Sequence, residues 1–338
     1  MRKRIIHTIR NLFEHKAIVL MYHRIAVPEV DVWEINVSPA MFEQQLQVLK
    51  KMGNVVPLQQ LVNEINAGKL HKNRIAITFD DGYIDNFTVA KPFLEKYCLP
   101  ATFFISSGNI GTEKEYWWDE LEHLILFTQH LPPFFSLQIR ETIVETELKT
   151  EVFLDEELRQ KHGCWKACTE EPPTIRAKLF YKLWQTLRPL PAIEQQQYLQ
   201  NIQTWINKPK LARPEYRTMS IAELKELATD DLFTIGAHTV THPALADHSA
   251  QFQKKELLEN RYFLSEITGR EINLLAYPYG NYNEQTLTIA PETGFNAAFT
   301  TEEMSIKSGY HKYSFGRLQV KNLPGAAFGE QLKHWKLY

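Results

Sequence analysis

The chain has 338 residues, 44% of them hydrophobic and 23% charged, with a formal net charge of −2. This is the balance of a globular protein with a large core, and it excludes a nucleic-acid binder that relies on bulk positive charge. Three cysteines in a chain of this length exclude a disulfide framework and point to a reducing compartment.

No run of 18 apolar residues occurs, so no transmembrane helix is expected. Residues 1–16 set Arg2, Lys3, Arg4, Arg10 and Lys16 beside Ile5, Ile6, Ile9, Leu12 and Phe13, the spacing of a basic amphipathic helix. Charged residues interrupt the apolar ones, which argues against a signal peptide. Such a helix lies either on an anionic membrane surface or on the flank of its own domain. The expected location is the cytoplasm, at the inner face of the membrane if the first reading holds.

Residues 17–22 form a short apolar strand that ends at His23 and Arg24. Ser38 and Pro39 open a helix that runs to Gly53, and a shorter helix covers residues 59–66. In residues 75–79, Ile75, Ile77 and Phe79 alternate with Ala76 and Thr78, and this strand ends abruptly at Asp80-Asp81-Gly82. A helix over 85–97 and a strand over 101–105 follow, and the alternation favours parallel pairing. From 111 to 217 the rhythm gives way to long polar and aromatic segments punctuated by prolines, read as a helical insertion that either caps the site or elaborates the scaffold. Within it, Trp117 and Trp118 are candidates to approach a substrate. Glu120 and His123 have ligand spacing but no second set for a dinuclear site, and His162, Cys164 and Cys168 lack a fourth zinc ligand.

The alternation then resumes. Ser220 and Glu223 announce a helix over 221–228, and a strand over 233–237 ends at His238. A helix over 249–268 closes at Gly269, and a strand over 272–277 ends at Pro278-Tyr279-Gly280. A helix over 284–292 and strands over 297–300 and 314–320 complete the chain, the last strand bearing Arg317. His23, Asp80, Asp81, His238 and Tyr279 therefore stand at strand ends, the face on which α/β folds build active sites.

His238 and His242 are four apart, and on a helical turn they would face the same way. With one Asp they form a three-ligand N,N,O set that leaves a position open on a divalent ion, the composition of a hydrolytic metal site. If Asp81 binds the ion, Asp80 is turned elsewhere and is free to act as a base. A backbone N–H in the 278–280 turn could hold an oxyanion, and His23 is the candidate acid for a leaving nitrogen.

Three motifs now carry a resemblance: Thr78-Phe79-Asp80-Asp81-Gly82-Tyr83, His238-Thr239-Val240-Thr241-His242 and Tyr277-Pro278-Tyr279-Gly280. The chain resembles the polysaccharide deacetylases, the NodB-homology or family 4 carbohydrate esterases, over residues 17–107 and 233–320. The resemblance implies a distorted (β/α)7 barrel spanning 17–338, interrupted by the 111–217 insertion. It implies metal-dependent removal of N-acetyl groups from amino sugars, with Asp80 as base, Asp81, His238 and His242 as ligands, and the Tyr279 backbone as oxyanion donor. Zinc is the expected ion, with Co2+, Ni2+ or Mn2+ as alternatives.

Two departures stand out. Ala276 occupies the usual place of an arginine before the third motif, and Leu318-Gln319-Val320 stands where a Leu-x-His usually supplies the acid. The chain is similar in this to a permuted subgroup, typified by biofilm-polysaccharide deacetylases, that draws the acid from a Tyr-His pair on the first strand, here Tyr22-His23. Arg317 is then expected to replace the lost arginine in orienting Asp80, with Trp117, Trp118 and Leu318 on the substrate side. The expected substrate is an N-acetylated surface glycan or its lipid-linked precursor, with no nucleic acid and no specific protein partner. The other readings are an amidase of a small cytosolic amide and a catalytically silent carbohydrate-binding module.

Overall fold

The apolar run that opens the fold is buried throughout after its first residue, because it is covered on both faces. A computed structural model describes residues 15–207 and 213–337; the basic segment over residues 1–16 lies, up to residue 14, outside the described residues. The strands are β1 (Lys16–Tyr22), β2 (Arg74–Phe79), β3 (Ala101–Ile105), β4 (Phe134–Ile139), β5 (Thr142–Glu147) and β6 (Phe233–Ala237), then β7 (Leu274–Ala276), β8 (Ala297–Phe299), β9 (Ile306–Lys307) and β10 (Leu318–Gln319). The main sheet runs β10-β1-β2-β3-β6-β7-β8, parallel throughout, with β9 added antiparallel to β1. A bridge between Phe299 and Phe315 links β8 to the segment leading into β10, so the curled sheet closes irregularly into the distorted seven-stranded barrel.

Alternation along β1 and β2 sorts their side chains into two cores. Ile18, Leu20, Tyr22, Ile75, Ile77 and Phe79 pack outward against the helices, whereas Ala17, Val19 and Ala76 gather with Phe104, Phe299 and Phe315. Gly236 makes room for that second cluster: a Cβ there would stand 2.5 Å from the Phe104 ring. The outer layer includes α1 (Pro39–Met52), α2 (Leu58–Asn66) and α3 (Lys91–Tyr97). Ser38 caps α1 by accepting the Met41 N–H, and Gly53 ends it in the left-handed conformation that glycine adopts without strain. The helix expected over 85–97 is divided, with a π turn at Asn86–Ala90 ahead of α3. Pro92 has no N–H to give the Thr88 carbonyl, which loosens the ladder at that point.

The insertion holds α4 (Trp117–Glu122), α5 (Glu156–Cys164), α6 (Ile175–Leu187) and α7 (Ala192–Ile206). It is not wholly helical, because β4 and β5 form an antiparallel hairpin within it. It has its own core, built on Leu121, Trp165, Phe180 and Leu183, which reaches the barrel through Val32 and Tyr83. His162 sits in that core with Nδ1 2.9 Å from the Leu126 carbonyl and Nε2 2.9 Å from the Thr174 hydroxyl, a satisfied structural histidine. After the insertion come α8 (Ile221–Thr229), with the Ser220–Glu223 capping box in place, α9 (Ala250–Thr268), α10 (Glu284–Glu292) and α11 (Gly325–Leu337). Among the described residues, no helix is long and apolar enough to cross a membrane.

Candidate active site

Strand register assembles the site. Tyr22 pairs with Phe79, so His23 and Asp80 emerge side by side, and the Asp80 N–H donates to the Tyr22 carbonyl. Ile105 pairs with Ala237, and His238 follows at once, its N–H bonded to the Ile105 carbonyl. Ala276 pairs with Phe299, which sets Tyr277 and the 278–280 turn on the same rim.

The ligating atoms of Asp81, His238 and His242 lie within 4.8 Å of one another, all three residues buried. Asp81 Oδ1 is 3.4 Å from His238 Nε2 and 3.3 Å from His242 Nε2, yet it closes a hydrogen bond with neither. His238 Nδ1 lies 2.8 Å from the Ala276 carbonyl; a carbonyl accepts only, so that nitrogen carries the proton and Nε2 presents its lone pair to the group. An orphaned buried carboxylate oxygen facing two imidazole nitrogens fits a divalent cation. Burial alone would raise the Asp81 carboxyl, but the two imidazoles outweigh it and hold it well below the ordinary range. Burial also keeps the His242 imidazole below its usual value despite Asp81, which favours the neutral form a ligand needs.

The two histidines do not converge by sitting on a helical turn. The 238–242 segment is irregular, with Thr239 and His242 at φ 66° and 56°. Asp81 and Tyr279 also have left-handed backbones, at 72° and 57°. Such conformations strain residues other than glycine and persist where surrounding bonds over-determine them. For the 238–242 segment those bonds come from α9. Glu256 accepts the Val240 and Thr241 N–H groups and the Thr241 hydroxyl, while Asn260 accepts the His238 N–H and donates to the Ile105 and Thr239 carbonyls. Neither residue was singled out from sequence; buried polar residues four apart on one helix were the available signal.

Asp80 has a separate partner on the same rim. Arg317 grips it with both arms, Nη1 to Oδ1 at 2.7 Å and Nη2 to Oδ2 at 2.6 Å, and is itself anchored through Nε to the Thr300 carbonyl. Burial pushes the Asp80 carboxyl up, but Arg317 and the nearby imidazoles pull harder and it stays below the ordinary range. Beside it, His23 Nε2 is 4.0 Å from Asp80 Oδ2, and its Nδ1 is buried without a hydrogen-bond partner. The 278–280 turn closes through Gly280 N–H to Tyr277 and Asn281 N–H to Pro278, bonds that leave the Tyr279 N–H outside them.

These groups line a cavity of about 290 Å³, together with Trp33, Trp118, Trp184, Arg188 and Gln319. Trp118 lines this cavity, its ring 4.6 Å from that of His242. Trp117 instead lines a neighbouring cavity, packing on Trp118 and Trp184. Leu318 is a core residue, 2% exposed, because strand alternation turns it inward and sends Gln319 to the cavity. Trp33 and Arg188 lay outside every motif; Trp184 belongs to the tryptophan-rich stretch of the insertion and stands four residues before Arg188 at the end of α6.

Trp118 is held by a chain of bonds: its indole N–H donates to the Tyr83 hydroxyl at 3.0 Å, which donates to Asp119 at 2.7 Å. Burial pushes the Asp119 carboxyl up to about 7, against the pull of Arg24, the Tyr83 hydroxyl and Arg213 and with Glu115 adding repulsion. The folded state thus binds this proton more tightly than the unfolded chain. Its contribution to stability is complete below the unfolded value of about 4 and is lost as pH rises through about 7. Asp119→Asn removes the titration. The unfolding free energy of wild type minus that of the variant is expected to fall from pH 4 to 7, at up to roughly 1.4 kcal/mol per pH unit. Denaturant curves with a pH-independent difference would refute this.

The family model for polysaccharide deacetylase matches residues 67–126 and 196–298, either side of most of the insertion. A poly-β-1,6-N-acetyl-D-glucosamine N-deacetylase of Staphylococcus aureus (strain MSSA476) is 30% identical over 335 residues, covering 95% of this chain and 83% of that protein. Among solved structures, the Streptococcus pyogenes deacetylase PplD in complex with acetate aligns over 96% of this chain and 99% of its own, with TM-score 0.58 and 20% identity. IcaB from Ammonifex degensii aligns over 96% and 98%, with TM-score 0.57 and 18% identity. These two likenesses concern the fold.

Proposed function

The chain belongs to the polysaccharide deacetylase family, and we propose that it hydrolyses the N-acetyl group of an amino sugar in a surface polysaccharide or its lipid-linked precursor. The observation that carries this reading is the division of two adjacent carboxylates. Asp81 joins His238 and His242 as a three-ligand group, and Asp80, gripped by Arg317, opens onto the same cavity. The relative from Staphylococcus aureus, an N-deacetylase of poly-β-1,6-N-acetyl-D-glucosamine, supports the choice of an N-acetylated glycan.

Asp81, His238 and His242 would hold a divalent cation, and we take zinc as the ion because two imidazoles and one carboxylate suit it. When bound, the cation supplies Lewis acidity that activates water and polarises the acetamide carbonyl. Asp80 accepts the proton as the water oxygen bonds to the acetyl carbon. Arg317 keeps that carboxylate ionised and fixed in orientation at the edge of the cavity. We assign the developing oxyanion to the Tyr279 N–H, which the hydrogen bonds of the 278–280 turn leave outside them. His23 gives a proton to the nitrogen as the C–N bond breaks, releasing acetate and the free amine. Trp118 walls the site beside His242 and limits water around it.

Chelation and dialysis are expected to abolish acetate release from N-acetylglucosamine oligosaccharides, and added Zn2+ or Co2+ to restore it. Metal-loaded protein that releases no acetate from any N-acetylated amino sugar would overturn the reading.

A further inference from the structure

Arg188, at the C-terminal end of α6, reaches the catalytic cavity from the insertion. Its guanidinium carbon lies 5.3 Å from the Trp184 ring centre and 5.7 Å from that of Tyr279, whose ring is in turn 4.5 Å from His242. Aromatic faces confine the guanidinium beside the metal group but satisfy none of its five donors.

Every other arginine among the described residues is engaged by oxygen. Arg24, Arg74, Arg140, Arg159, Arg213, Arg217, Arg270 and Arg317 meet carboxylates, and Arg176 and Arg261 meet backbone carbonyls. The Arg188 side chain has no ion pair or hydrogen bond with the described residues; only its backbone N–H is bonded, to the Trp184 carbonyl. The cavity holds no spare anion for it either: Asp80 is taken by Arg317, and Asp81 faces the two histidines. The remaining lining residues nearby, Trp33, Trp184, Cys168 and Gln319, are neutral side chains.

We propose that Arg188 receives an oxyanion carried by the substrate, a carboxylate or a phosphate on or next to the acetamido sugar. This rests on the reading of the cavity as an amino-sugar deacetylase site and narrows its substrate to an anionic glycan. A planar guanidinium lying near the Trp184 and Tyr279 rings presents a fork of N–H donors to which either oxyanion can bind bidentately. Partial exclusion of water by Trp33, Trp184 and Tyr279 strengthens that contact relative to one on an open surface. The insertion thus contributes the residue that selects the substrate, while the barrel rim contributes the chemistry.

The test compares three probes on metal-loaded protein: an oligosaccharide alternating N-acetylglucosamine with glucuronate, the same oligosaccharide with its carboxylates reduced to alcohols, and a methyl phosphodiester of N-acetylglucosamine. Wild type is expected to favour one charged probe over the neutral one in kcat/KM by roughly ten- to a hundredfold, the range of a charge-assisted hydrogen-bond pair. In Arg188→Gln the ratio should fall towards one, and Arg188→Lys should retain part of it. Which charged probe is favoured identifies the oxyanion as carboxylate or phosphate. A charged-to-neutral ratio that is the same in wild type and Arg188→Gln, whatever the absolute rates, overturns the proposal. Dissociation constants from titration calorimetry separate the two readings. Charge preference in binding that Arg188→Gln removes, without acetate release, sustains the oxyanion site and defeats deacetylation. Acetate release with no charge preference does the reverse.

Discussion

Arg317→Met is expected to destabilise the protein by about 3–5 kcal/mol and to reduce acetate release at least a hundredfold, about the loss of a positioned base. Arg317 is fully buried and Asp80 is 1% exposed, so removing the cation leaves a nearly buried carboxylate without its bidentate counter-charge. The methionine fills much the same volume, which makes loss of the ion pair, rather than a cavity, the dominant cost. His23, 4.0 Å away, cannot replace two bonds of 2.6 and 2.7 Å. Arg317→Lys keeps the charge but loses the fork, and it should fall between wild type and methionine in both measurements. Denaturant unfolding and acetate release together decide the matter. A methionine variant as stable and as active as wild type would show that Asp80 is positioned by something else.

His23→Ala is expected to lower kcat by about 10²–10⁴, the range for loss of a general acid, while metal affinity changes only slightly. His23 lies outside the group formed by Asp81, His238 and His242, and its ring faces the cavity from the end of β1. Competition with a fluorescent chelator reads the metal affinity independently of turnover. An acetate ester whose leaving group needs no proton provides the second readout, because its hydrolysis should suffer much less than that of the amide. Equal losses on both would make His23 a structural residue. A matching loss of metal affinity would make it a ligand.

Arg317 and His23 were legible from sequence in different degrees. Tyr22-His23 ends a plain apolar strand, and its place beside Asp80 follows once β1 and β2 pair in register, from Ala17 with Arg74 to Tyr22 with Phe79. Arg317 sits 237 positions from Asp80, and no local signal links the two. Their meeting depends on closure of the barrel between β8 and β1, a property of the whole sheet. Leu318 illustrates the opposite error. Motif position placed it with substrate, whereas the alternation of β10 decides that Gln319 lines the cavity.

Local physics was enough for the elements themselves. Ser38 and Gly53 bound α1, Ser220 and Glu223 start α8, and Gly269 ends α9, because caps and left-handed turns are satisfied within a few residues. The convergence of Asp81, His238 and His242 was also readable, from carboxylate and imidazole spacing at strand ends. How they converge was not: the strained 238–242 turn depends on Glu256 and Asn260 from a helix that the chain reaches only later. The cavity wall was hidden for the same reason. Trp33 comes from a loop, and Trp184 and Arg188, four apart, from the end of one helix of the insertion; packing of the insertion core on Val32 and Tyr83 brings the two elements together at the rim. Short-range bonds are written in neighbouring residues, whereas side chains hundreds of positions apart meet only when burial of the whole core fixes their distance.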